Sequence, residues 1–306
     1  MNKKVLETKN LNYTFVIDGA SGFLAYELSN FFLDLNHRVI LIGRSEESKF
    51  KRQKILKRSN IQYLEKYQKI PIVDKKKLIF IHTAASTPNN NDYGDEDIFL
   101  KNSLLRNDVL THILSNEYQL IVNISSTSVY GNIKEDILYE NHATLPSSLY
   151  GLSKLLSENQ FSILSKFSSF SNVLHLRLPA ILSKESKGIF ILRLINGVKN
   201  NQEIKIRSKN SRFNNLTISR DIAKTILRFV ANHENLPKEV FLNMSSKDSI
   251  KLIDIVSFLS KHFNKEFSKL IYDKKLNSFL LANHRNCDLI NNSSLLDMIK
   301  NNLVGE

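Results

Sequence analysis

Five runs of nearly continuous apolar residues, each ending in a polar turn, set the tightest limit on how this chain can fold. They lie at 13–17 (YTFVI), 38–42 (RVILI), 78–82 (LIFIH), 120–124 (LIVNI) and 173–178 (VLHLRL). A strand that is apolar on both faces must be covered on both faces, which is the condition of a parallel sheet between two layers of helices. Helical patterns separate the runs: one follows the first strand, a second covers roughly 96–116, and a third opens at 146. Strands alternating with helices through short turns predict an α/β fold with a doubly wound parallel sheet. Residues 61–64 (IQYL) resemble a further strand in an otherwise polar stretch over 49–76. Beyond Pro179 the pattern loosens. Residues 180–216 are mixed, 221–230 are helical, 240–244 read as a last strand, and 250–263 form an amphipathic helix. The tail, 264–306, is basic and weakly patterned.

The first run passes directly into DGASGFLA at 18–25 and then into an amphipathic helix. Gly19 permits the tight turn, and Gly22 lets the backbone approach a pyrophosphate held at the helix N-terminus. Strand, glycine turn and helix in that order predict a dinucleotide site. The second run ends at Gly43, Arg44 and Ser45. An NAD site usually carries an acid there to hold the ribose 2′-hydroxyl, whereas a guanidinium suits a 2′-phosphate. The expected cofactor is therefore NADP, with NAD left open by Glu46 and Glu47 just beyond. The dinucleotide-binding domain is expected over 1–178, with 217–249 returning to it. Residues 179–216 and 250–306 are expected to build a smaller, discontinuous substrate lobe.

At 146–158 the chain reads PSSLYGLSKLLSE. Tyr150 and Lys154 are four apart at the head of a helix, with Ser147 and Ser148 at the capping positions and Leu152, Leu155, Leu156 and Phe161 as the expected buried stripe. Residues i and i+4 share a helix face. A cation beside a phenol favours the phenolate, and a tyrosine tuned in this way can pass a proton to or from a carbonyl/alcohol pair. A second Tyr/Lys pair at this spacing, Tyr130 and Lys134, falls in a turn and reads as coincidence. His82 closes a buried strand and reads as structural.

The remaining features exclude more than they assign. One cysteine, Cys287, permits no internal disulfide. The charged start lacks the apolar core of a signal peptide, and no apolar run reaches the length of a spanning helix. The chain is expected to be soluble and cytoplasmic, with no membrane insertion and no metal. The net charge of +13 is densest at 49–58 and 75–77. No nucleic-acid motif accompanies it, so it reads as a lysine-coated surface that draws in an anionic substrate.

Six motifs in order resemble the extended short-chain dehydrogenase/reductases, the nucleotide-sugar epimerase/dehydratase/reductase group. They are GASGFLA at 19–25, IHTAAS at 81–86, SSTSVYG at 125–131, YGLSK at 150–154, RLPAIL at 177–182 and TISRDIA at 217–223. The resemblance implies that Tyr150 donates and accepts the proton, that Lys154 binds the nicotinamide ribose, and that Ser126 hydrogen-bonds the reacting oxygen. It implies a cofactor held by Gly19, Ser21, Gly22, Phe23, Leu24, Arg44, Ser45, Ala84, Ala85 and Pro179 together with Tyr150 and Lys154. Ser126, Thr127, Arg207, Arg212 and Arg285 are the expected substrate contacts.

The departures from the family pattern carry information too. Ala25 replaces a third loop glycine, and Asp18 stands where the family has a small or hydroxyl residue. Asn214 stands where an arginine grips the substrate diphosphate. The acids that dehydratases carry after the catalytic hydroxyl are here Thr127 and Ser128, which argues against dehydration. The leading expectation is an NADP-dependent reductase of a 4-keto-6-deoxy sugar nucleotide. The alternatives are a nucleotide-sugar 4-epimerase with bound NAD, and a non-catalytic dinucleotide-binding regulator. The resemblance also implies a homodimer packed through the Tyr150 helix and its neighbour at 96–116.

Overall fold

Seven parallel strands form the central sheet: β1 Thr14–Asp18, β2 Arg38–Gly43, β3 Ile61–Glu65, β4 Leu78–His82, β5 Leu120–Ser126, β6 Asn172–Leu178 and β7 Glu239–Asn243. The computed structural model describes residues 12–43, 55–68, 70, 77–88, 96–116, 118–167, 172–186, 188–266, 269–276, 278–282, 287–290 and 292–303. The spatial order is β7-β6-β5-β4-β1-β2-β3. Order reverses between β1 and β4, which leaves a crevice at their carboxyl ends where open α/β sheets bind ligands. All five predicted runs are strands of this sheet. The first closes one residue later than expected, so Asp18 rather than Ile17 ends β1. The weaker run at 61–64 is the edge strand β3, and its residues Ile61 to Tyr63 are accordingly only half-buried.

Alternation along the strands builds two cores. Phe15, Ile17, Leu41 and Ile81 face helices α1 (Phe23–Asp34) and the later Ser219–Asn232 helix, where Leu28, Phe32, Ile222 and Ile226 meet them. Val16, Ile40, Phe80 and Ile121 face the opposite way, onto Leu105, Val109 and Ile113 of α2 (Glu96–Asn116) and Phe161 of α3 (Leu149–Phe167). Each such fully buried side chain contributes about 1.5–3 kcal/mol relative to exposure. No helix among the described residues is long and apolar enough to cross a membrane.

A separate apolar cluster lies beyond Pro179. It joins α4 (Phe190–Lys199), α6 (Leu252–His262) and α7 (Leu295–Leu303), with Leu216 contributed from just ahead of α5 (Ser219–Asn232). Two of these helices sit where the sequence reads as mixed or weakly patterned. In α4 the stripe Ile191, Leu194, Ile195, Val198 is interrupted by Gly197, where an added Cβ would stand 2.6 Å from Ile204. The glycine serves close approach rather than ending the helix. The nine-residue α7 is too short to announce itself by period, and it buries Leu295, Met298, Ile299 and Leu303 in this cluster.

The stripe on α3 differs from expectation. Leu152, Leu155 and Leu156 are only half-buried, while Ser153, Lys154, Ser157 and Glu158 are buried beside Phe161. The face turned to the sheet is polar because Lys154, Ser157 and Glu158 find partners there, while Ser153 Oγ accepts from Asn102 Nδ2 of α2 at 3.0 Å. Lys154 Nζ donates to Ile124 O at 2.9 Å, Ser157 Oγ donates to Asn123 Oδ1 at 3.2 Å, and Glu158 pairs with Arg177 Nη2 at 2.8 Å.

Candidate active site

The β1 turn is built on contact with its neighbour across the switch point. Gly19 has φ +77°, and a Cβ there would stand 2.8 Å from Thr83 Oγ1 and 3.0 Å from Ala84 N. Only glycine tolerates both the angle and the proximity. Gly22 begins α1 with no side-chain cap, and Ser21 and Gly22 are exposed. This open helix N-terminus, flanked by the half-buried Ala84 and Ala85, fits the pyrophosphate of a dinucleotide. Leu24 has its side chain in the core, so only its backbone faces a ligand, and Phe23 is half-buried beside it. Ala25 is fully buried, a small residue between helix and sheet. Arg44, Ser45 and Arg285 lie outside the described residues.

Asp18, the unexplained departure, is the hub of this turn. Its carboxylate is fully buried and accepts from Thr83 N (2.6 Å), Ala84 N (2.7 Å) and Tyr67 Oη (2.9 Å), with His82 Nδ1 at 2.6 Å. Burial pushes its pKa up, but the facing His82 and these hydrogen bonds outweigh that and hold it below the usual aspartate value. His82 acts in this clamp. The structural reading of a strand-closing histidine matches that arrangement.

Across the crevice, β5 ends in Ser126. Its Oγ accepts from Ser128 N at 3.1 Å and donates to Ser128 Oγ at 3.1 Å, capping the turn Thr127–Tyr130. The first turn of α3 is pressed onto that turn, since a Cβ on Gly151 would stand 2.4 Å from Ser128 O. Ser148 caps the helix by accepting from Gly151 N at 3.0 Å. The sequence thereby delivers Tyr150 beside the Ser126–Ser128 segment, and Lys154 Nζ lies 5.9 Å from the centre of the Tyr150 ring. Burial lowers the Lys154 pKa to about 8, with the charges of Asp18 and Glu158 opposing the fall. Tyr130 points elsewhere. It is buried, accepts from Arg177 Nη1 at 2.9 Å and donates to Asn243 Oδ1 at 2.8 Å, while Lys134 is exposed.

A cavity of about 320 Å³ joins this end of the sheet to the C-terminal lobe. Thr127 and Pro179 form one wall, and Lys205, Arg207 and Arg212 bring three cationic side chains to the other. Phe190, Phe213 and Phe279 supply aromatic faces. These aromatics come from three separate segments, so no local sequence pattern marks them. Arg207 is held by Ser278 O at 3.4 Å and by Asp136 Oδ1 at 3.6 Å, and Arg212 by Ser249. Asn214 is not a ligand in waiting. It is buried, accepts from Leu281 N at 2.9 Å and donates to Leu281 O at 2.8 Å, stapling two segments of the lobe. Among the described residues, no cluster of three or more His, Cys, Asp or Glu could hold a metal ion.

The family model of the NAD dependent epimerase/dehydratase family matches residues 15–244. The chain belongs to that family. A comparison with curated protein sequences finds no match. Solved structures with the same fold include the UDP-glucuronic acid 4-epimerase from Bacillus cereus in complex with UDP-glucuronic acid and NAD. It is 19% identical, with 94% of this chain and 96% of that chain covered and a TM-score of 0.72. The UDP-N-acetylglucosamine 4-epimerase from Methanobrevibacter ruminantium M1 in complex with UDP-N-acetylmuramic acid is 17% identical, covering 95% and 96%, with a TM-score of 0.73. At these identities the likeness is one of fold. For an epimerase/dehydratase family member, the glycine turn, Ser126, Tyr150 and Lys154 fall at the carboxyl edge of one Rossmann-type sheet.

Proposed function

We propose that the protein is an NAD-dependent 4-epimerase of a nucleotide sugar. The observation that carries this reading is the cavity lined by Thr127 and Pro179, just past the ends of β5 and β6, and by the arginines of the lobe. It offers one continuous site for a sugar at the sheet edge and an anionic diphosphate at Arg207 and Arg212. The two solved structures described above are 4-epimerases of UDP-sugars, and one of those two was solved with NAD. The reductase expectation rests on Arg44 and Ser45, which lie outside the described residues.

In this reading Gly19, Ser21, Gly22 and the β4 turn hold the dinucleotide, whose nicotinamide supplies a reversible hydride acceptor. Lys154 binds the ribose and keeps a positive charge beside Tyr150. Tyr150 takes the proton of the sugar hydroxyl as that carbon is oxidised and returns it when the carbonyl is reduced on the other face. Ser126 holds the reacting oxygen, and the lobe keeps the nucleotide end fixed while the sugar turns. Thr127 and Ser128 offer no acid for eliminating water.

The test is incubation of the purified protein with UDP-hexoses and no added reductant, followed by proton NMR. Interconversion of C4 epimers is expected, with no solvent deuterium entering C4 because the hydride returns to its own carbon. If no epimer forms, and a keto-sugar nucleotide instead consumes NADPH in equal amount, the reductase replaces this reading. Loss of Arg212 (Arg212→Ala) is expected to weaken substrate binding by about 1.5–3 kcal/mol, the size of one charge-assisted hydrogen bond.

The assembly proposed with this activity is a homodimer through α2 and α3, whose outer faces expose Leu100, Leu104, Leu114 and Ile163. Leu104, 70% exposed, is the most exposed of the four. Leu104→Glu is expected to turn a dimer into a monomer in sedimentation velocity. An unchanged sedimentation coefficient in the variant would exclude this interface.

A further inference from the structure

Asp18, His82, Ile124 and Lys154 lie on adjoining elements of the switch point. Asp18 ends β1, His82 ends the neighbouring β4, and His82 is in register with Asn123 of β5, one residue before the carbonyl that receives Lys154. Lys154 is 6% exposed, and its Nζ donates to the backbone carbonyl of Ile124 at 2.9 Å. A buried ammonium needs a buried counter-charge to stay protonated. Two carboxylates bear on it. Glu158, on its own helix, is already engaged by Arg177 through Nε at 3.0 Å and Nη2 at 2.8 Å, and accepts from Ser125 Oγ at 2.5 Å. Asp18 stands at the end of β1, with β4 between it and the strand of Ile124. It is bonded to Thr83, Ala84 and Tyr67 and to the His82 ring, and its charge raises the Lys154 pKa. The other titratable neighbours are Tyr150 on the same helix, His82 through Asp18 and Arg177 through Glu158.

We propose that Asp18 is a positioning residue of this site, whose buried carboxylate keeps Lys154 charged. It acts through Lys154 and touches neither substrate nor the reacting atoms. The consequence is an alkaline limit. Lys154 loses its proton as pH rises through its lowered value of about 8, and without Asp18 that loss comes at lower pH. A small or hydroxyl residue at position 18 would leave the lysine to other counter-charges.

This inference rests on the reading of Lys154 as a residue of the cofactor site, and its test is independent of cofactor and substrate. The protein is prepared with lysine labelled with carbon-13 at Cε, and the Lys154 resonance is assigned by its absence from Lys154→Arg. Its titration midpoint is then followed in the parent, Asp18→Asn and Asp18→Ser. Asparagine can satisfy the same partners, its oxygen accepting from Thr83 and Ala84 and its amide donating to His82 and Tyr67. The serine variant has the hydroxyl common in the family and guards against misfolding of the first. A downward shift of about one unit or more in either folded variant is expected for removal of a buried opposite charge. A midpoint that stays in place in the folded variants overturns the proposal. Whether Lys154 serves the cofactor is read separately, by calorimetric NAD binding to Lys154→Met. Unchanged binding there sinks the functional reading and leaves the Asp18 result standing.

Discussion

Tyr150→Phe is expected to reduce turnover by about 10²–10⁴-fold, the usual share of a positioned general acid–base, with fold and cofactor affinity unchanged. The expectation follows from position. Tyr150 is half-buried at the first turn of α3, its ring 5.9 Å from Lys154 Nζ, and Gly151 next to it is pressed against Ser128 O. Removing one oxygen atom leaves that packing intact. Steady-state kinetics with circular dichroism and NAD titration would check it. A variant that retains more than a tenth of the parent rate would remove Tyr150 from the proton path. A regulator that merely senses the dinucleotide would bind it equally well in both forms and lose nothing, so the same measurement separates enzyme from sensor.

The second large effect is on stability. Glu158→Ala is expected to cost about 3–5 kcal/mol, because it strands a buried guanidinium. Arg177 is 4% exposed and Glu158 1% exposed, and they meet in a two-point contact. The pair ties α3 to β6, and Arg177 continues to Tyr130 Oη and to Glu140 O at 2.8 Å. Replacing both partners with apolar residues of similar size, Glu158→Leu with Arg177→Met, is expected to cost much less, since no charge is left alone. Urea unfolding of the two single variants and the double variant provides the cycle. A loss below about 1 kcal/mol in Glu158→Ala would mean the guanidinium finds water.

What could be read in advance follows a physical division. The five apolar runs became strands of one sheet because burial on both faces requires an uninterrupted apolar stretch, a property of neighbouring residues. The glycine turn was readable for the same reason: Gly19 must sit at positive φ against Thr83 whatever happens elsewhere. The leucines of α3 misled, because a helix facing polar partners on β5 and β6 buries serine, lysine and glutamate. Those partners lie between 19 and 34 positions away along the chain. Helix α7 went unseen because its nine residues gain their apolar neighbours from distant segments, α4 and α6 among them.

Within the site the same division holds. Tyr150 and Lys154 could be singled out because spacing on a helix is local, and Ser126 because the resemblance of its motif is local too. The place of Asn214 was marked only as a missing arginine, and the fold shows a double hydrogen bond to the backbone of Leu281. Asp18 was a departure with no account until Thr83, Ala84, His82 and Tyr67 converged on it. By itself the sequence determined the central strands and the helices between them, their order, and which side chains are candidates to carry a proton. The tertiary structure decided which of those side chains are charged and what they face. Protonation and partnership depend on desolvation and on groups from distant strands, and no periodicity records either.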